Sequence, residues 1–78
     1  MKLSIVSPEE TLFEGEVKSV KMQGIDGKFQ VLNDHAPLIS ALDKGDIVIE
    51  EISGEQKSFA INSGLVELAK NEIHILAQ

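Results

Sequence analysis

Apolar and polar residues alternate in short pieces along nearly the whole chain. That period-2 pattern constrains the fold more than any other feature, because successive side chains of a strand point to opposite faces. Leu3 and Ile5 share a face, as do Val20 and Met22, Phe29 and Val31, Ile47 and Ile49, Phe59 and Ile61, and Ile73 and Ile75. Between the pieces lie the turn signals Asp26-Gly27, Lys44-Gly45, Ser53-Gly54, Asn62-Ser63-Gly64 and Lys70-Asn71. Their intervals of about 8 to 12 residues are those of a sandwich or barrel. The pattern predicts an all-β chain, one domain over residues 1–78.

Two places break the phase. Val17 does not alternate with Val20 and Met22, and Ile52 does not alternate with Ile47 and Ile49, so a bulge or a change of sheet is expected at each. Leu65, Leu68, Ala69, Ile73 and Leu76 also fit a helical i, i+3, i+4 template. Two strands are preferred there, because Lys70-Asn71 suits a two-residue hairpin, Ile73-His74-Ile75 is β-branched and alternating, and a helix would start poorly from Gly64. Ser7-Pro8-Glu9-Glu10 has the spacing of a capping box with proline at the first helical position. With no sustained apolar periodicity after it, a single helical turn or a tight connection between strands is expected.

At 78 residues the chain can hide only about 60% of its unfolded surface, so its core is small and a partner would help it. There is no cysteine, which removes a disulfide framework, a thiolate metal site and a cysteine nucleophile. Acidic residues number 13 against 7 basic ones, all lysine, for a net charge of −6. Without the guanidinium fork, nucleic acid is not an expected partner. Phe13, Phe29 and Phe59 stand apart from any lysine-rich run and are expected in the core. No apolar run approaches signal-peptide length or the roughly 20 residues of a membrane span, so a soluble chain is expected.

The raw material for chemistry is thin. A nucleophile, base and orienting group must converge, and only His35, beside Asp34, and His74, on the outer face of its strand, offer a base. Glu9, Glu10, Glu14 and Glu16 form an acidic cluster, as do Asp43 and Asp46 around Gly45, and a solvated surface accounts for both. No calcium loop and no zinc spacing is present, and the glycines are too dispersed for a phosphate cradle. No catalytic, metal or cofactor residue is therefore assigned.

One stretch is more specific than composition. Gly27-Lys28-Phe29-Gln30-Val31-Leu32 is a glycine turn and short strand that runs into Asn33-Asp34-His35-Ala36-Pro37-Leu38. Together with the Leu-x-Ile-Val-Ser-Pro start at residues 3 to 8, with Leu12-Phe13-Glu14-Gly15, with Leu42-x-x-Gly45-x-Ile47 and with Asn62-Ser63-Gly64-x-Val66-Glu67-Leu68, it resembles the N-terminal domain of the epsilon subunit of F-type ATP synthases. The resemblance covers most of the chain. It implies a two-sheet β-sandwich of about ten short strands and a noncatalytic subunit at the foot of the rotating central stalk. Such a subunit links the gamma subunit to the membrane c-ring beneath the alpha/beta/gamma head. By similarity the c-ring face centres on the turn from Gly24 to Lys28, with Asp26, Gly27 and Lys28 as contacts. The gamma face includes Ser7, His35, Ala36, Pro37, Leu38 and Ser40. The implied location is the cytoplasmic face of a bacterial inner membrane, or the inner face of an organelle membrane, reached only through the complex.

Many family members continue into a two-helix hairpin that restrains ATP hydrolysis and in some cases binds ATP. This sequence stops at Gln78, so neither property is expected of it. A weaker echo is Val20-Lys21-Met22, similar to the Met-Lys-Met hairpin of biotinyl and lipoyl carrier domains. A carrier lysine needs the tip of a tight hairpin, whereas Lys21 is expected in mid-strand.

Overall fold

The computed structural model describes residues 1–78 and contains strands and turns but no helix. The strands are β1 (Lys2–Val6), β2 (Thr11–Gly24), β3 (Gly27–Leu32), β4 (Leu38–Leu42), β5 (Gly45–Glu51), β6 (Gln56–Ile61), β7 (Gly64–Ala69) and β8 (Glu72–Ala77). There are eight, against the expected ten or so, and one of the missing breaks is in the 14-residue β2, which runs unbroken through both layers. Its first half pairs with β1, and its second half lies between β3 and β5, with β6 beyond β5. The other layer continues from β1 through β8 and β7 to β4, whose end returns to β2 at the single pair Gly24 and Leu42.

A strand that serves two layers must bend, and β2 does so where its register slips. One irregularity falls opposite Ile5 and Val6, where Leu12 is the extra residue, and the other lies between Val17 and Ser19. The second is the bulge that the phase of Val17 demanded. Ile52 has another cause: β5 ends at Glu51, and Ile52 opens the turn to β6, 56% exposed, so it lies outside the strand and keeps no strand phase. The segment after Ser7 is a tight connection. The Ser7 N–H donates to the Glu10 carbonyl at 2.8 Å, and the Glu10 N–H donates to Ser7 Oγ at 3.2 Å.

The core takes every second residue from both layers. Val17, Val20, Val31, Ile47 and Ile49 on one side meet Leu3, Ile5, Val66, Leu68, Ile73 and Ile75 on the other, all at most 2% exposed. The phenylalanines pack at its margin, with the Phe13 and Phe59 rings 6.1 Å apart and tilted by 58°. Lys57 lies over the Phe13 ring at 5.7 Å and pairs with Glu51 at 3.2 Å, which gives the otherwise unbonded, buried Glu51 Oε2 its charge partner.

The chain ends in a hairpin rather than a helix. Lys70 and Asn71, at φ of 53° and 60°, form the left-handed pair that a type I′ turn needs, and β7 and β8 pair from Gly64 with Ala77 to Ala69 with Glu72. Gly64 is required by space: a Cβ there would lie 2.8 Å from the Leu76 carbonyl oxygen. Gly64→Ala is expected to cost about 1–3 kcal/mol, read as a lower urea midpoint with unchanged m-value. An unchanged midpoint would mean that β7 and β8 are not held this closely.

Candidate docking surfaces

Two loops carry the residues singled out in the sequence, and the topology separates them. The β2–β3 hairpin turns through Ile25 and Asp26, with Gly24 opposite Gly27. Gly27, at φ of 123°, takes a conformation that a side chain would strain, so it is this residue that lets so short a turn close. Ile25, Asp26, Gly27 and Lys28 are all exposed. The hairpin is anchored from behind, since the Ile25 N–H donates to the Ala41 carbonyl at 3.3 Å and the Asp43 N–H to the Gln23 carbonyl at 2.8 Å. The result is a charged tip on a stiff two-stranded base.

The β3–β4 connection lies at the other end of β4, about 13 Å away along the strand. Asp34 is left-handed at φ 64°, and the His35 N–H donates to the Leu32 carbonyl at 3.2 Å, which turns the chain sharply out of β3. His35 Nδ1–H donates to the Ala36 carbonyl at 2.7 Å, and Pro37 fixes the backbone before β4 begins at Leu38. His35, Ala36 and Pro37 are exposed, and Leu38 is half-buried against the core. Ser40 is half-buried, and its hydroxyl donates to the Ala41 carbonyl at 3.1 Å. Ser7 does not join them. It follows Val6 at the far end of β1, across β8 and β7 from β4.

Asn71, expected from its sequence only as a turn residue, also ties the His35 loop to the β7–β8 turn. Its side-chain carbonyl accepts the Asp34 N–H at 2.9 Å, its amide donates to Asn33 Oδ1 at 2.8 Å, and its backbone carbonyl accepts the Lys2 N–H at 3.3 Å. The β7–β8 turn thus holds the His35 loop in place. The partners are 37 and 38 residues apart, so no local pattern announces them.

Nothing in the chain gathers catalytic groups. No three His, Asp or Glu side chains converge. An open concavity of about 670 Å³ on the outer side of β2, β3 and β5 is lined by Lys21, Lys28, Gln23 and Asp46 among others, with no serine, threonine, histidine or cysteine. Lys21 lies between Gln30 and Val48 in mid-sheet, away from any hairpin tip. What the surface offers is two exposed loops, each held by hydrogen bonds to a neighbouring strand or turn.

The model of the ATP synthase delta/epsilon chain beta-sandwich domain matches residues 1–78. The chain belongs to the ATP synthase delta/epsilon family. An ATP synthase epsilon chain from a Sulfurovum species is 48% identical over 68 residues, 87% of this chain and 53% of that one. One from a Nitratiruptor species is 44% identical over 100% of this chain and 60% of its own length. That of Chlorobium limicola is 39% identical over 99% of this chain and 88% of its own. The chain thus spans little more than half of the first two epsilon relatives. Among solved structures, a chain of the Euglena gracilis mitochondrial ATP synthase, determined with OSCP, F1 and c-ring, superposes with a TM-score of 0.89 at 19% identity, over 96% of this chain and 48% of that one. A chain from the central stalk and c-ring of the Tetrahymena thermophila enzyme gives 0.81 at 18% identity, over 100% of this chain and 63% of that one. The delta/epsilon sandwich is the same fold in each.

Proposed function

We propose that the chain is a noncatalytic rotor subunit of a rotary F-type ATP synthase, seated at the foot of the central stalk between the gamma subunit and the c-ring, within a complex bound to the cytoplasmic or organellar inner face of a membrane. The observation that carries this is the match of the delta/epsilon family model over residues 1–78, together with two separate, stiffly mounted exposed loops on one close-packed sandwich. Torque passes only through a body that does not deform gradually, and a sandwich packed at crystal-like density meets that need. The charged hairpin tip, Asp26, Gly27 and Lys28, faces the polar loops of the c-ring. Ser7 and the segment from His35 through Leu38 to Ser40 face gamma. Domain limits of 1–78 belong to the same proposal.

The test is a pull-down of the tagged chain from membranes of its source organism, followed by mass spectrometry. Recovery of alpha, beta, gamma and c subunits is expected, and recovery of none of them, with a mass increment on Lys21, would instead mark a carrier domain.

The tip gives a second expected result. Lys28→Glu lies on an exposed turn, so its effect on stability stays within about 0.5 kcal/mol. Its effect on ATP-driven proton pumping in vesicles is expected to be a drop of several-fold, because a reversed charge at a contact acts on the partner rather than on the fold. Unchanged pumping would move Lys28 off the interface.

A further inference from the structure

β6 ends its layer and hydrogen-bonds to β5 alone, so one of its two edges is open. The turn before it fixes which groups lie on that edge. The Gly54 N–H donates to the Glu51 carbonyl and the Glu51 N–H to the Glu55 carbonyl, both at 2.8 Å, with Gly54 at φ of 96°. This is a three-residue hairpin loop with a glycine bulge, and Glu51 and Glu55 form a hydrogen-bonded pair. Pairs alternate from there, so Ile49 with Lys57 and Ile47 with Phe59 exchange bonds, whereas the N–H and C=O of Gln56, Ser58 and Ala60 point away from β5, unpaired. The side chains of those three residues are uncharged and exposed. Such an edge is a ready template for another strand. A second copy fits it by symmetry: laid antiparallel about Ser58, it would set Gln56 opposite Ala60 of the other copy and Ser58 opposite its own equivalent, with no like charges meeting.

We propose that Lys57 keeps this edge closed to a second copy. Period 2 places Lys57 in the core-facing row with Phe59 and Ile61, and it stands opposite Ile49, which is 0% exposed. Its ammonium lies 5.7 Å from the centre of the Phe13 ring and 3.2 Å from Glu51 Oε2, a buried atom with no hydrogen bond, and the lysine side chain keeps 45% of its surface in water. A strand added along β6 would cover that remaining surface. In the pairing about Ser58, Lys57 would lie opposite Phe59 of the second copy, which brings no carboxylate. Two ammonium groups, one from each copy, would then lose water without gaining a partner. β3, the only other strand with a single neighbour, has a charged side chain, Lys28, in its outward row, whereas the outward row of β6 has none. On β6 the protecting charge therefore stands on the inward side.

The experiment is sedimentation velocity of the purified full chain across the micromolar range, with thermal melts by circular dichroism. The parent is expected to sediment as a single chain throughout. Glu51→Gln/Lys57→Leu, which removes the ammonium without leaving its carboxylate unpaired, is expected to fold and to double its mass as concentration rises. Adding Ser58→Pro is expected to return it to a single chain, because proline there deletes only a donor that points off the edge. If the double variant does not melt cooperatively, Lys57→Met takes its place with the same expectations. A variant that stays a single chain at every concentration would show that Lys57 excludes nothing, and association that survives Ser58→Pro would place the contact elsewhere; either result overturns the proposal. A parent that pairs until Ser58→Pro is introduced overturns it too, since the edge would already be open.

Discussion

Ile75→Ala is expected to remove more stability than any other single truncation of this chain, about 3–5 kcal/mol. Ile75 lies in β8 between Ile5 of the parallel neighbour β1 and Val66 of the antiparallel neighbour β7, and all three are 0% exposed. Surrounded on both edges and covered by the opposite layer, the site cannot collapse around a lost sec-butyl group, so the transfer loss and the cavity cost add. A domain of this length holds roughly 4–12 kcal/mol in total, which makes the loss a large share of the whole. Urea denaturation is the measurement, with Leu76→Gln as the control one residue along on the other face. The control is expected to change stability by less than about 0.5 kcal/mol. A loss below about 1 kcal/mol at Ile75, or equal losses at both positions, would contradict the assigned inside and outside of β8.

Asn71→Ala is expected to act on stability and on docking at once. Alanine pays about 1 kcal/mol for the left-handed backbone at φ 60°, and two side-chain hydrogen bonds to the 33–34 turn disappear, for a total of about 2 kcal/mol after allowing for their exposure to water. The His35 loop then loses its tether while its own sequence is intact. Hydrogen exchange of the amides from Asp34 to Leu38 is expected to speed up, and gamma affinity is expected to fall although Asn71 need not touch gamma. Asn71→Gly separates the two causes, since glycine accepts the left-handed backbone but makes no side-chain bond. It should recover about half of the lost stability and none of the loop protection. Equal behaviour of alanine and glycine in both readouts would remove the hydrogen bonds from the account.

How much of this was legible in the sequence depends on whether the deciding contact was local. The strands that alternate cleanly, such as β5, β7 and β8, followed from period 2, and the type I′ turn at Lys70 and Asn71 from its residue pair. Val17 announced its bulge because the residues on both sides stay within one strand. Ile52 broke phase in the same way for a different reason, the end of the strand, and phase alone does not separate the two. The length of β2 has no local signal, because its two halves take different partners, β1 for the first and β3 and β5 for the second. The tether from Asn71 to Asn33 and Asp34 and the cross-strand row of Ala41, Leu65, Leu76 and Val6 are products of register between distant segments. Period 2 puts Leu65 and Leu76 on the faces opposite Val66 and Ile75, and only pairing shows that the two side chains lie next to each other.

The most direct test of the central claim is add-back. ATP synthase stripped of its epsilon subunit, in vesicles from the source organism, is supplied with the purified chain, and ATP-driven proton pumping is measured against ATP hydrolysis. The rotor account predicts that the chain binds and restores pumping per ATP hydrolysed, with Lys28→Glu binding but restoring much less. Binding without any gain in pumping, or no binding to the stripped enzyme, would contradict it.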